Sequence, residues 1–112
     1  MSGRPVRNLI EDIWESIGKI EEYVAGCDHD TFVRDRKTLD ATVRNLEIIG
    51  EAAGRLPETF RLQHDTVEWI IGLRHRIAHD YFGIDVEIVW QILQRDLPEL
   101  KSKLEVIRRG LA

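Results

Sequence analysis

The chain is short of several things, and each shortage closes off a class of protein. It has a single cysteine, Cys27, so no internal disulfide can form and a reducing compartment is expected. Nowhere does it carry the roughly 18 consecutive apolar residues needed to span a bilayer. No charged-then-apolar leader opens it either, so a soluble, cytoplasmic protein without a membrane partner is expected. Cationic excess is missing: the formal net charge is −4, which argues against coating nucleic acid by bulk electrostatics. That balance leaves room for a small basic cleft, because phosphate contacts are local. No stretch alternates convincingly enough for a strand, and no repeat or low-complexity segment appears.

What is present is helical. The 112 residues are 43% apolar, enough for one domain (1–112) with a modest core. Charged residues make up 32% and are dispersed, as solvated helix faces are. Residues 5–25 predict a first helix, with Val6, Leu9, Ile10, Ile13, Ile17, Ile20 and Val24 on one face and Gly26 as its stop. Asp30 or Thr31 is the expected N-cap of a second helix running to about Arg55, irregular before Lys37, and burying Leu39, Val43, Leu46, Ile49, Ala53 and Leu56. Inside it, Gly50 and Gly54 each sacrifice roughly 1 kcal/mol against alanine, which predicts close packing of another helix. Pro57 ends the helix, and 57–65 reads as a loop with Phe60 tucked onto the core. Asp65 is the expected N-cap of a third helix ending near Gly83. Asp85 is that of a fourth, with Val86, Val89, Trp90 and Leu93 inward. Pro98 suits a first turn, so a break and a fifth helix to about Arg109 are expected. Trp14, Trp69 and Trp90 are assigned to the core. The fold class is all-α, with four or five antiparallel helices.

One stretch departs from an ordinary amphipathic pattern. After Ile70, Leu73 and Ile77, the positions Arg74, His75, Arg76, His79, Asp80 and Tyr81 place six polar or titratable groups within eight residues. A helix needing only solubility would carry Lys and Glu there. Arginine offers a planar two-pronged cation, histidine a proton near neutral pH, and tyrosine a hydroxyl, a set that suits an anionic phosphate. Metal-free RNA cleavage asks for a base at the ribose 2′-hydroxyl, an acid at the leaving oxygen and a cation for the phosphate. His79 can serve as base or acid, Arg74 can grip phosphate oxygens, and Tyr81 can position an oxygen. At about 100° per residue, Arg74 and Tyr81 fall within about 20° of one face, whereas His79 falls about 140° from Arg74. Either the helix loosens near Ala78 or two chains build one site.

Blander readings exist for each residue. Arg74 can be a structural partner of Glu51 or Asp80, and Glu51, set among small residues, is expected to anchor Arg44 or Arg74. His79 can be a satisfied core histidine. His75 and His79, four apart, could bind a metal with His64 or an acid as third ligand. The pattern lacks the glutamate of a zincin signature, so neither metal nor cofactor is expected.

The segment Arg74-His-Arg-Ile-Ala-His79-Asp-Tyr81 resembles the motif of the HEPN superfamily, and within it the HepT-like toxins of toxin–antitoxin pairs. The resemblance extends to Arg44-Asn-Leu-Glu-Ile-Ile-Gly-Glu-Ala52, to Trp69, and to Phe82-Gly-Ile-Asp85, Trp90 and Asp96-Leu-Pro-Glu-Leu100. One departure is His75, where the family usually has Asn. The resemblance implies a HEPN helical bundle that homodimerises, with motifs of both protomers lining one cleft. It implies metal-independent endoribonuclease activity on RNA (mRNA or tRNA), with Arg74 and His79 catalytic and Tyr81, His75, Arg76 and Glu51 supporting. It also implies a cognate minimal nucleotidyltransferase antitoxin that transfers AMP from ATP to Tyr81. A rival reading is a catalytically weak HEPN dimer that holds nucleotide or a partner protein, which the acidic charge and His75 favour.

Overall fold

A computed structural model describes residues 4–77 and 85–111, with Arg74, His75 and Ile77 described by backbone alone. The described residues are helical throughout, joined by short turns, as the all-α reading anticipates. Helix α1 (Val6–Val24) buries Leu9, Ile10, Ile13, Ile17 and Ile20, the predicted stripe. It stops at Ala25, and Gly26 turns the chain with φ 78°, a conformation that side-chain-bearing residues rarely adopt.

The predicted second helix is two helices. Asp28, not Asp30 or Thr31, caps α2 (His29–Arg34): its carboxylate accepts from the Thr31 N–H at 2.9 Å, and the Thr31 hydroxyl accepts from the Asp28 N–H at 2.9 Å. Asp35 is extended (φ −99°, ψ 90°), ends α2 and caps α3 (Arg36–Gly54). Its carboxylate takes the Thr38 N–H at 3.1 Å and the Thr38 hydroxyl at 2.6 Å, a local alternative to helix that breaks the run. Thr31 holds the Asp28 carboxyl below its ordinary range chiefly through its backbone N–H, and Thr38 lowers Asp35 chiefly through its hydroxyl.

Three further expectations need correction. Residues 57–65 are not a plain loop, because α4 (Glu58–Gln63) forms with Pro57 at its N-cap and Phe60 resting on the core. A proline that cannot continue one helix has the φ that starts the next. Asp65 is the first residue of α5 (Asp65–Ile77) rather than its cap, with Glu68 also in that turn near the positive end of the helix dipole. Finally, α6 (Val86–Gln91), capped by Asp85, runs through a π-helical turn (Ile92–Asp96) into α7 (Leu97–Gly110) without a break. In a regular helix the Pro98 ring would meet the carbonyl four residues back, and the wider turn relieves that clash.

Side-chain pairs fix the directions. Along α1 and α7, Arg7 donates to the Leu111 carbonyl, Glu11 accepts from Arg108 and Glu21 accepts from Lys101, so the two helices are antiparallel. The core gathers Leu46, Ile49 and Ala53 of α3, Val67, Ile70 and Leu73 of α5, and Ile92, Leu97, Leu100 and Leu104 behind α1. The tryptophans sit at its rim rather than within it. The Arg108 guanidinium lies 4.6 Å from the Trp14 ring centroid and the Lys103 ammonium 5.7 Å from that of Trp69. Trp90 packs against Phe32 at 5.3 Å. An indole is too large to be fully enclosed in a core this thin. None of the described helices is long and apolar enough to cross a membrane.

Candidate active site

Helix α5 carries the first half of the polar stretch. Val67, Ile70 and Leu73 are buried and seat the helix on the core. Its α-helical backbone continues through positions 74–77. The irregularity expected near Ala78 lies outside the described residues, as do His79, Asp80 and Tyr81. Arg74 and His75 are placed on the last turn of α5 by their backbone.

Arg76 is the one member of the stretch whose side chain is described, and it does not stand free for a phosphate. Its Nη1 donates to Asp96 Oδ2 at 3.0 Å. The Asp96 side chain is 19% exposed and that of Arg76 46%, so the acid is the more sheltered partner. Asp96 belongs to the π-helical turn, which makes this pair a bridge between α5 and the α6–α7 rod. Sequence reasoning gave Asp96 no role beyond family likeness, and only Pro98 two residues on hints that the helix is irregular there.

Glu51 and Arg44 are both exposed, and no hydrogen bond or ion pair joins them among the described residues; the side chain of Arg74, the other expected partner, lies outside the described ones. Glu51 instead lines a groove between α1 and α3, with Asp12, Glu15 and Lys19 on one wall and Ile48 and Arg55 on the other. The groove mixes charges of both signs, and Asp12 is already occupied by Arg4 at 2.8 Å. The hydrogen bond to Asp12 and its charge hold the Arg4 guanidinium above its usual pKa. The glycines flanking Glu51 separate in role: Gly50 is buried, whereas Gly54 is exposed, with nothing within 4 Å of where a Cβ would stand. Within the chain, then, no helix packs closely on Gly54.

Of the other histidines, His64 stacks on Phe60 with ring centroids 4.4 Å apart. His29 faces Glu87. Among the described residues, no group of three or more His, Cys, Asp or Glu side chains could hold a metal ion.

Comparison with known proteins finds relatives along nearly the whole chain. A family model described as ribonuclease HepT-like matches residues 13–107. A Thermococcus cleftensis protein named "Probable ribonuclease HepT" is 38% identical over 108 residues, covering 95% of this chain and 98% of that one. A Methanocaldococcus jannaschii protein named a "Putative RNase" is 36% identical over 109 residues, covering 96% and 100%. A third, from Caldanaerobacter subterraneus and also named a "Putative RNase", is 38% identical over 103 residues, covering 90% and 92%. No solved structure matches the chain significantly.

Proposed function

The chain belongs to the HepT-like ribonuclease family, and on that premise we propose that it is a metal-independent endoribonuclease whose working residues are Arg74 and His79. The observation that carries this reading is the Arg74–His79–Tyr81 set lying within a match that runs nearly the whole length of chain and relatives alike. Arg74 grips the phosphate with a charge that no accessible pH removes. His79 exchanges the proton of the 2′-hydroxyl or of the leaving oxygen. Tyr81 positions an oxygen, and His75 adds a polar group.

The working unit in this reading is a homodimer with Arg74, His79 and Tyr81 of both protomers around one cleft. Two His79 rings then answer the need for an acid and a base. In the cell the enzyme is a toxin, silenced when a partner nucleotidyltransferase adenylylates Tyr81.

The test is incubation of purified protein with total RNA in excess chelator, beside His79→Ala and Arg74→Lys. Cleavage should survive the chelator, and His79→Ala should lose about 10²–10⁴-fold. Arg74→Lys should also fail, since a point charge does not reproduce the planar fork. Full activity in either variant, or activity that returns only with a divalent metal, refutes the assignment. RNA bound but left intact by the unmodified chain would favour the rival reading of a binding module.

A further inference from the structure

The π-helical turn relieves Pro98 and keeps its apolar residues inside, and its last residue, Asp96, reaches α5. The Leu97 N–H donates to the Ile92 carbonyl, five residues back, inside an otherwise continuous helical rod. Such a turn holds one residue more than an α-turn and rotates everything beyond it by about 100°. Ile92, Leu93, Leu97 and Leu100 all remain buried across it. The turn therefore keeps the apolar face inward on both sides while bringing the carboxylate of Asp96 to α5. There it meets Arg76, with Nη1 to Oδ2 at 3.0 Å.

We propose that Asp96 is a positioning residue of the cleavage site: standing at the end of the π turn, it grips Arg76 and thereby fixes the last turn of α5, which carries position 74 and stands just before His79 in the sequence. The inference rests on the ribonuclease reading above and deepens it. Arg76 stands two residues after Arg74 and three before His79, so a restraint on it acts between the two working groups. Position 76 lies about 160° around the helix axis from position 74. The guanidinium of Arg76 has a carboxylate on it already, and that carboxylate is the more sheltered of the two partners. Arg76 belongs to the site as a strut and not as a phosphate ligand.

The experiment compares RNA cleavage by the full chain with Asp96→Asn, Arg76→Gln and Arg76→Lys, together with an NMR titration of the imidazole of His79, assigned by its loss in His79→Gln. Asp96→Asn and Arg76→Gln should each lower kcat by about 10–100-fold, the scale of a misplacement near 1 Å, with KM within about two-fold. Arg76→Lys, which keeps an ion pair with Asp96, should recover most of that loss. The His79 titration curve should move in Asp96→Asn and return in Arg76→Lys. If Arg76→Gln instead raises KM and flattens the salt dependence by about one unit while Asp96→Asn is silent, Arg76 is an RNA contact and the proposal is overturned. Unchanged kinetics in both variants overturn it as well. Undiminished cleavage by His79→Ala would refute the ribonuclease assignment instead. In that event the titration still decides the strut, because an unmoved His79 curve in Asp96→Asn is evidence against it by itself.

Discussion

The imidazole Nε2 of His29 lies 2.8 Å from Glu87 Oε1 and 2.9 Å from Oε2, joining α2 to α6 across 58 residues of sequence. A nitrogen facing both oxygens of one carboxylate must carry the hydrogen, so His29 donates there. The same ring meets Trp90 edge-on with centroids 5.7 Å apart. The pair therefore fastens the start of α6, the element that follows residues 78–84. A double-mutant cycle with His29→Ala and Glu87→Ala, followed by urea unfolding, should give a coupling of about 0.2–1 kcal/mol, the range for exposed pairs. His29→Ala should be the more damaging single change, since it also loses the Trp90 contact. Strictly additive losses would show that the short distance contributes nothing.

Acid should loosen α2 and the start of α3 through Asp28 and Asp35. Both carboxyls titrate below the 3.8 of an unperturbed aspartate, because Thr31 and Thr38 hydrogen-bond the charged form. A lowered folded pKa means the contribution is complete above about 3.8 and is lost as pH falls through the folded value. Melting temperatures of the chain and of Asp28→Asn/Asp35→Asn should lie close together near neutrality, since asparagine also caps helices. Below pH 4 the double variant should lose less stability than the parent, and parallel curves from pH 7 to pH 2 would refute the linkage.

Gly18 is exposed in the middle of α1, with nothing within 4 Å of where a Cβ would stand. Gly18→Ala should raise stability by about 1 kcal/mol, through helix propensity alone. Chemical denaturation reads it. A loss of stability would mean that another surface comes within methyl distance of Gly18 in the assembled protein.

Tyr81→Phe separates cleavage from silencing. Phenylalanine keeps the ring but removes the hydroxyl that would take AMP from ATP, with pyrophosphate leaving. The variant should retain measurable cleavage and escape the partner nucleotidyltransferase. On the proposed mechanism, an AMP there would act as a tethered anion for Arg74 at an effective concentration of about millimolar, in competition with substrate phosphate. Intact mass after incubation with the partner and ATP, followed by peptide mapping, locates the adduct. Adducts confined to Tyr23, or silencing that persists undiminished in Tyr81→Phe, would overturn the mechanism.

Much of this architecture is legible before any coordinate is known. The buried faces of α1, α3 and α7 follow from apolar residues three and four apart, a spacing that only helical burial exploits. Cys27 and the acidic balance are plain in the composition. Recognition of the Arg74–His79–Tyr81 set needs only residue types and spacing, because the chemistry of phosphate is local. Which aspartate caps α2 was not legible, since Asp28, Asp30 and Thr31 all carry capping side chains and the choice depends on where α1 releases the chain.

Tertiary structure decided the rest, for a common reason: each outcome depends on groups far apart in sequence. Pro57 and Pro98 look alike as punctuation, yet one opens α4 and the other is absorbed by a π turn, because Ile92, Leu93 and Leu97 must all stay inside. The tryptophans stand at the rim, where cations of α7 cover two of them. Arg76 reads as one more cation in a phosphate-loving run until Asp96, twenty residues on, is seen to hold it. Helical periodicity is a property of neighbours, so the sequence carries it openly; the assignment of an arginine to scaffold or substrate is a property of packing, and only the folded chain makes it.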